Sequence, residues 1–303
     1  MKQVRILIIL CALLQTAFFA GAQSREAAVN KTYTHTVDGI ERSYIMHLPE
    51  GLQPDAPLVF VLHGYTGRAN PAEYDMDAVA DRHGFAVCYP QGIKDTRGNT
   101  CWNVGYPFQQ DMTVDDVRFL CELAGHVQQK FHLSPENTFC TGISNGGEMC
   151  YLLAYRRPDV FAAVAPVAGL TLLSMYRQYE CPQAIPLFEI HGTEDRISEW
   201  TGDLKDEGGW GAYLPVPVAV NYWVAKNRCT RELTDTLPGK TPENGHYVIA
   251  HKYVDGTGGN QVWLYEIVGG SHAWGREDLD TGEEIWKFIS QVVKNKKEGL
   301  ASL

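Results

Sequence analysis

The chain has 303 residues, 45% of them apolar and 20% charged. That suits one large α/β domain or two small ones around a substantial core, and it argues against disorder. The formal net charge is −10, with no basic cluster, which disfavours nucleic acid and anionic membrane surfaces as partners.

Lys2 and Arg5, an apolar run over residues 6–14 and Ala20-Gly21-Ala22 read as a secretory signal peptide over residues 1–22. Gln15 interrupts the apolar run, which is too short to span a bilayer comfortably. Cleavage would leave Gln23 first, and a secreted or periplasmic location without a membrane anchor is expected. Residues 23–303 read as one domain, because no internal repeat or linker stands out.

Residues 31–37 and 42–48 alternate around Asp38-Gly39, the pattern of a β-hairpin. Residues 58–62 are a continuous apolar run ending in His63-Gly64, a strand buried on both faces. A helix is expected over 72–83, a strand over 85–89, and a long loop over 90–107 containing Cys101-Trp102-Asn103. Residues 114–131 carry Val117, Leu120, Leu123 and Val127 at helical spacing. Asp115 and Asp116 open that helix, where the dipole favours acids.

Next comes a short buried strand over 137–141, then Gly142-Ile143-Ser144-Asn145-Gly146, then a helix over 147–156. Strands follow over 161–167 and 187–191, the second ending in Gly192-Thr193-Glu194-Asp195. Residues 196–216, rich in Trp, Gly and acids, read as an insertion over the strand ends. A helix over 218–226, a strand over 262–267 and a closing amphipathic helix over 279–294 complete the chain. Strand and helix alternate after the hairpin, which implies an α/β fold with a mostly parallel sheet covered on both faces.

Without Cys11, which lies in the leader, seven cysteines remain: Cys88, Cys101, Cys121, Cys140, Cys150, Cys181 and Cys229. In an oxidising compartment one to three disulfides are expected. Cys88 and Cys140 fall in core strands and read as buried thiols. Cys181 and Cys229, in loops flanking Asp195, are the first choice for a bridge. There is no C-x-x-C, which disfavours zinc, and no metal or cofactor is expected.

A G-x-S-x-G that joins a strand to a helix is a nucleophile elbow. Glycines flank the serine because the turn is too tight for neighbouring side chains. A serine hydroxyl is a weak nucleophile and needs a base. In open parallel sheets ligands sit at the carboxyl ends of the strands, and three such ends here carry Ser144, Asp195 and His272. His272 would take the serine proton, while Asp195 would fix its tautomer and stabilise the imidazolium. The order Ser, Asp, His is that of α/β-hydrolases. His246 and His251 are rival bases and Asp203 and Asp206 fallback acids. The backbone N–H groups of Tyr65 and Asn145 are the expected oxyanion donors, and His63 reads as structural.

Several stretches together resemble the secreted α/β-hydrolase esterases that group feruloyl esterases and acetyl xylan esterases with polyhydroxybutyrate depolymerase-like proteins. They are residues 57–64, 80–90, 101–103, 115–117, 141–147, 158–169, 191–195 and 269–274, nearly the whole length after the leader. The resemblance implies an α/β-hydrolase catalytic domain that cleaves a carboxylic ester through an acyl-enzyme. Many relatives have Cys after the His-Gly of the oxyanion loop, where this chain has Tyr65. A bridge from that loop to the Cys-Trp-Asn segment is therefore not available.

Trp102, Tyr106, Trp200, Trp210, Tyr213 and Trp274 all fall in loops near the expected strand ends. Aromatic walls suit a phenolic acyl group or a sugar ring. The expected substrate is a small ester or a feruloylated or acetylated polysaccharide, with feruloyl esterase as the leading reading. Acetyl xylan esterase and short-chain hydroxyalkanoate esterase are the alternatives. Solid polyester is less expected, because depolymerases usually carry a surface-binding module and this chain leaves no residues for one. A non-catalytic carbohydrate-binding protein on the same scaffold would need a broken triad.

Overall fold

The computed structural model describes residues 30–294; the leader expected over residues 1–22 lies outside them. The hairpin forms from β1 (Lys31–Val37) and β2 (Ile40–His47), with Asp38 and Gly39 both at positive φ in the turn. Then follow β3 (Leu58–Leu62), α1 (Met76–His83), β4 (Ala86–Pro90) and a short ribbon of β5 (Ile93–Lys94) and β6 (Thr100–Cys101). The central part comprises α2 (Asp116–Phe131), β7 (Thr138–Ile143), α3 (Asn145–Arg156), β8 (Ala163–Val167), α4 (Leu173–Gln178) and β9 (Leu187–Gly192). The last part comprises α5 (Val216–Asn227), β10 (Arg231–Pro238), β11 (Tyr247–Val254), β12 (Val262–Val268) and α6 (Thr281–Ser290).

Ten strands form one sheet in the order β1-β2-β4-β3-β7-β8-β9-β12-β11-β10. From β4 to β12 the neighbours are parallel, and antiparallel pairs close both edges. This is the α/β-hydrolase fold. The central strands are apolar on both faces because helices cover both. In β3, Leu58, Phe60 and Leu62 pack with α2, α3 and α5, while Val59 and Val61 pack with α1 and α6.

Three expectations need correction. The helix expected from residue 72 begins at Met76, because Asp75 sits at φ 54° and breaks the run after a short 3₁₀ turn at Pro71–Glu73. Helix α4 and strand β10 were not expected; β10 is almost wholly exposed along the sheet edge, so it carries no apolar signal. Asp116 opens the first turn of α2, as expected. It is buried against Arg42 and also accepts from the Asn103 amide at 2.7 Å. All seven cysteines of the described residues are free, and Cys181 and Cys229 do not bridge. The Cys181 thiol instead donates to Gln183 O at 2.8 Å.

Backbone approach at the elbow sets the tightest steric limit. A Cβ on Gly146 would lie 2.3 Å from Leu62 O, and one on Gly142 2.7 Å from the same oxygen. The obstructing atom is backbone in a central strand, so no rotamer change relieves the clash. Gly146→Ala is expected to destabilise the fold by about 2 kcal/mol or more, measured as a lowered urea midpoint at unchanged m-value.

Candidate active site

Ser144 stands between β7 and α3 at φ 55°, ψ −122°. A non-glycine residue there stores roughly 1–3 kcal/mol of strain, which the surroundings must hold. They do so with backbone bonds: Ser144 N donates to Val167 O at 2.9 Å, and Ser144 O accepts from Glu148 N at 2.8 Å. On the other side, Gly64 is so close that a Cβ on it would lie 3.4 Å from Ser144 Cβ. The loop after β3 therefore abuts the serine.

The two expected oxyanion donors are the N–H groups of Tyr65 and Asn145, and among the described residues neither has an acceptor in the protein. Their positions are fixed by the Cys101-Trp102-Asn103 segment. The Asn145 amide is bonded twice to Trp102: Oδ1 accepts from its N–H at 2.7 Å, and Nδ2 donates to its carbonyl at 3.1 Å. The Trp102 indole donates to His63 O at 2.9 Å, tying the same segment to the Tyr65 loop. Arg42 and Asp116 brace it from behind. His63 is structural, as expected: its Nε2 accepts from Gly92 N at 2.9 Å and its Nδ1 lies 2.8 Å from Gly64 O. Burial lowers its pKa to about 4, so it stays neutral.

Asp195 and His272 meet. His272 Nδ1 is 2.7 Å from Asp195 Oδ2, while the amides of Ile197 and Ser198 both donate to Asp195 Oδ1 at 2.8 Å. Their two loops can pack together because β9 and β12 are neighbours and Gly192 leaves room; a Cβ there would lie 2.3 Å from Gly270 O. Burial alone would raise the Asp195 carboxyl. The His272 hydrogen bond and charge, then His191, outweigh it and hold the group below the usual range. An anionic Asp195 fixes the Nδ1–H tautomer of His272 and leaves Nε2 as a base.

The rival groups lie elsewhere. His246 is paired with Asp278 at 2.7 Å and His251 with Glu232 at 2.9 Å. Asp203 and Asp206 accept from the amides of Lys205, Gly208 and Gly211, and so shape the 196–216 loop.

Four of the six aromatic residues expected to meet substrate are buried. Trp102 locks the oxyanion loops. Tyr106 donates to Glu148, Tyr213 accepts from the Glu199 amide, and Trp274 packs edge-on against Tyr74. Their apolar surface is spent in packing, so none presents a face to a substrate. Trp200 and Trp210 remain partly exposed. Trp210 groups with Tyr65 and Phe108 at centroid distances of 5.5 and 5.8 Å, and Arg97 lies over the Phe108 ring at 3.9 Å. This wall adjoins the loop that carries the Tyr65 amide.

Sequence reasoning overlooked a buried polar group beneath the site: Glu148 on α3, and Glu189 and His191 on β9. The available signal was a glutamate inside the apolar run Leu187-Phe188-Glu189-Ile190.

The chain has the α/β-hydrolase fold, with a serine turn after β7 and an Asp–His pair at the ends of β9 and β12. A family model described as esterase PHB depolymerase matches residues 42–178. The chain is 32% identical to a putative esterase, NocK, of Nocardia uniformis over 78% of this chain and 72% of that protein. It is 29% identical to a poly(3-hydroxyalkanoate) depolymerase C of Paucimonas lemoignei over 58% of this chain, which spans only 42% of that relative's length. The chain belongs to this PHB depolymerase-type esterase family. A solved acetyl xylan esterase from Aspergillus awamori superposes with a TM-score of 0.61 at 14% identity, covering 86% of this chain and 99% of that one.

Burial pushes the Glu148 carboxyl up to about 8 from an ordinary 4.5. The folded chain thus keeps a proton that the unfolded chain releases, so the stability this group contributes is full below pH 4.5 and is lost as pH rises through 8. Glu148→Gln is expected to flatten that loss. It should gain on the order of 4 kcal/mol at pH 8 relative to its effect at pH 4.5, read from urea unfolding at both pH values.

Proposed function

We propose that this protein is an exported esterase in which Ser144 is the nucleophile, His272 the general base and acid, and Asp195 the group that orients His272. The observation that carries this reading is the Asp195–His272 hydrogen bond at 2.7 Å, at the same end of the parallel strands as the strained serine turn. In the proposed reaction Ser144 Oγ attacks the ester carbonyl while His272 Nε2 takes its proton. The tetrahedral oxyanion is received by the Tyr65 and Asn145 N–H groups. Collapse breaks the bond to the alcohol, which leaves with the proton from His272. Water then repeats the sequence on the acyl-enzyme and releases the acid.

For the acyl group we propose a hydroxycinnamate carried on plant cell-wall polysaccharide. The wall of Tyr65, Phe108 and Trp210 supports this choice, because it offers flat apolar area beside the proposed oxyanion site. A small acetyl group would use little of it.

Ser144→Ala is expected to reduce kcat/KM for methyl ferulate by about 10⁴-fold or more, with the fold intact by circular dichroism. Trp210→Ala is expected to raise KM for methyl ferulate by about 10-fold, the loss of on the order of 1.4 kcal/mol of ring contact, and to leave an acetyl ester within about twofold. Release of acetate from acetylated xylan by a protein that cleaves no hydroxycinnamate ester would favour the acetyl xylan esterase reading.

A further inference from the structure

His191 lies directly behind Asp195, and its side chain and that of Glu189 are fully buried. The protons on its ring follow from its partners. Nε2 is 2.7 Å from Ser198 O, a carbonyl that can only accept, so Nε2 carries hydrogen. Nδ1 is 2.8 Å from Glu189 Oε1. The same Oε1 receives the Gly169 N–H at 3.2 Å, and Oε2 receives the Tyr151 hydroxyl at 2.9 Å. Burial raises the Glu189 pKa, but the Tyr151 hydroxyl and the Gly169 N–H both donate to its carboxylate and favour the anion, so Nδ1 also carries hydrogen and the ring is an imidazolium. Burial opposes that charge, but the Glu189 hydrogen bond and charge overcome it and raise the His191 pKa.

The ring acts on Asp195 in two ways. Its Nε2 is 3.6 Å from Asp195 Oδ2, the same oxygen that binds His272. It also anchors the carbonyl of Ser198, whose amide caps the other Asp195 oxygen. Resting on the esterase reading above, we propose that His191 is a positioning residue: a permanently protonated imidazolium that keeps Asp195 ionised and in place. It also moderates the negative charge that Asp195 offers to His272.

The second effect has a definite sign. Asp195 stabilises the cation that forms on His272 during the reaction, and a competing cation on the far side of the carboxylate weakens that attraction. The pull of Asp195 on a proton arriving at His272 is therefore weaker than it would be with a neutral group at position 191. The other groups facing the ring do not supply this cation. From α3 come Tyr151 and Glu148, the latter with its pKa raised to about 8. From the following loop comes the Trp200 ring, at a centroid distance of 6.1 Å. From β12 comes Glu266, adjacent to His191 in the ladder, with His251 at 3.7 Å from its carboxylate.

The test is the pH profile of kcat/KM for an activated acetate ester, in wild type, His191→Gln and Glu189→Gln. Glu189→Gln keeps a hydrogen-bonding group of the same shape and removes the anion that holds the His191 proton. In both variants the acid limb is expected to move up by about one pH unit, a roughly tenfold loss of rate below the limb. A purely structural role would lower the rate at all pH values and leave the limb in place, and that result in folded variants overturns the proposal. A second measurement needs no variant. Nitrogen-15 NMR of imidazole-labelled wild-type protein is expected to show both His191 nitrogens protonated between pH 5 and 9; a neutral tautomer there overturns the proposal even if the variants do not fold. Wild-type protein that hydrolyses no ester would refute the esterase reading, and the NMR result would still decide the state of His191.

Discussion

The contact on which the site depends is the approach of two backbones at the elbow. Gly142 and Gly146 let the Ser144 turn press against the carbonyl of Leu62 at the end of β3. That contact holds Ser144 in a strained conformation and brings the Gly64–Tyr65 loop beside it. Without it the serine would relax into the helix, and the two free amides would not converge. The strain is local, but it is held by two buried central strands of the sheet, β3 and β7.

Around that contact the protein builds in two layers. Above is the proposed reactive surface: Ser144, the Tyr65 and Asn145 amides, and the Asp195–His272 pair. Beneath is a set of buried polar side chains that fix each of these through hydrogen bonds. Arg42 and Asp116 hold the Trp102 segment, Trp102 holds Asn145 and His63, and Glu189 with His191 stands behind Asp195. Unpaired, such groups would cost several kcal/mol each. Paired with two or three partners they restrict the positions open to the groups above them.

Much of this was legible in the sequence. The five-residue apolar runs forecast the central strands because strands buried on both faces must be apolar throughout. Ser144, Asp195 and His272 were singled out because each follows an expected strand at a glycine-bearing turn. Other features left no such trace. Strand β10 is polar and exposed, and its pairing with β11 is set by the tertiary edge and not by its own pattern. Loop aromatics look alike in sequence whether they pack inward or face a cleft. Trp102, Tyr106, Tyr213 and Trp274 pack inward because each has a buried ring or hydrogen-bond partner supplied by distant parts of the chain. Cysteine pairing likewise depends on long-range geometry; Cys140 and Cys150 lie 3.4 Å apart across the elbow strand and helix, yet remain thiols.

The most direct measurement of the central claim is the intact mass of the protein after treatment with a fluorophosphonate at neutral pH, with the adduct mapped by peptide sequencing. The account predicts a single phosphonyl adduct, on Ser144, and its loss in His272→Asn. A folded wild-type protein that takes no adduct, or takes it on another residue, would contradict the account.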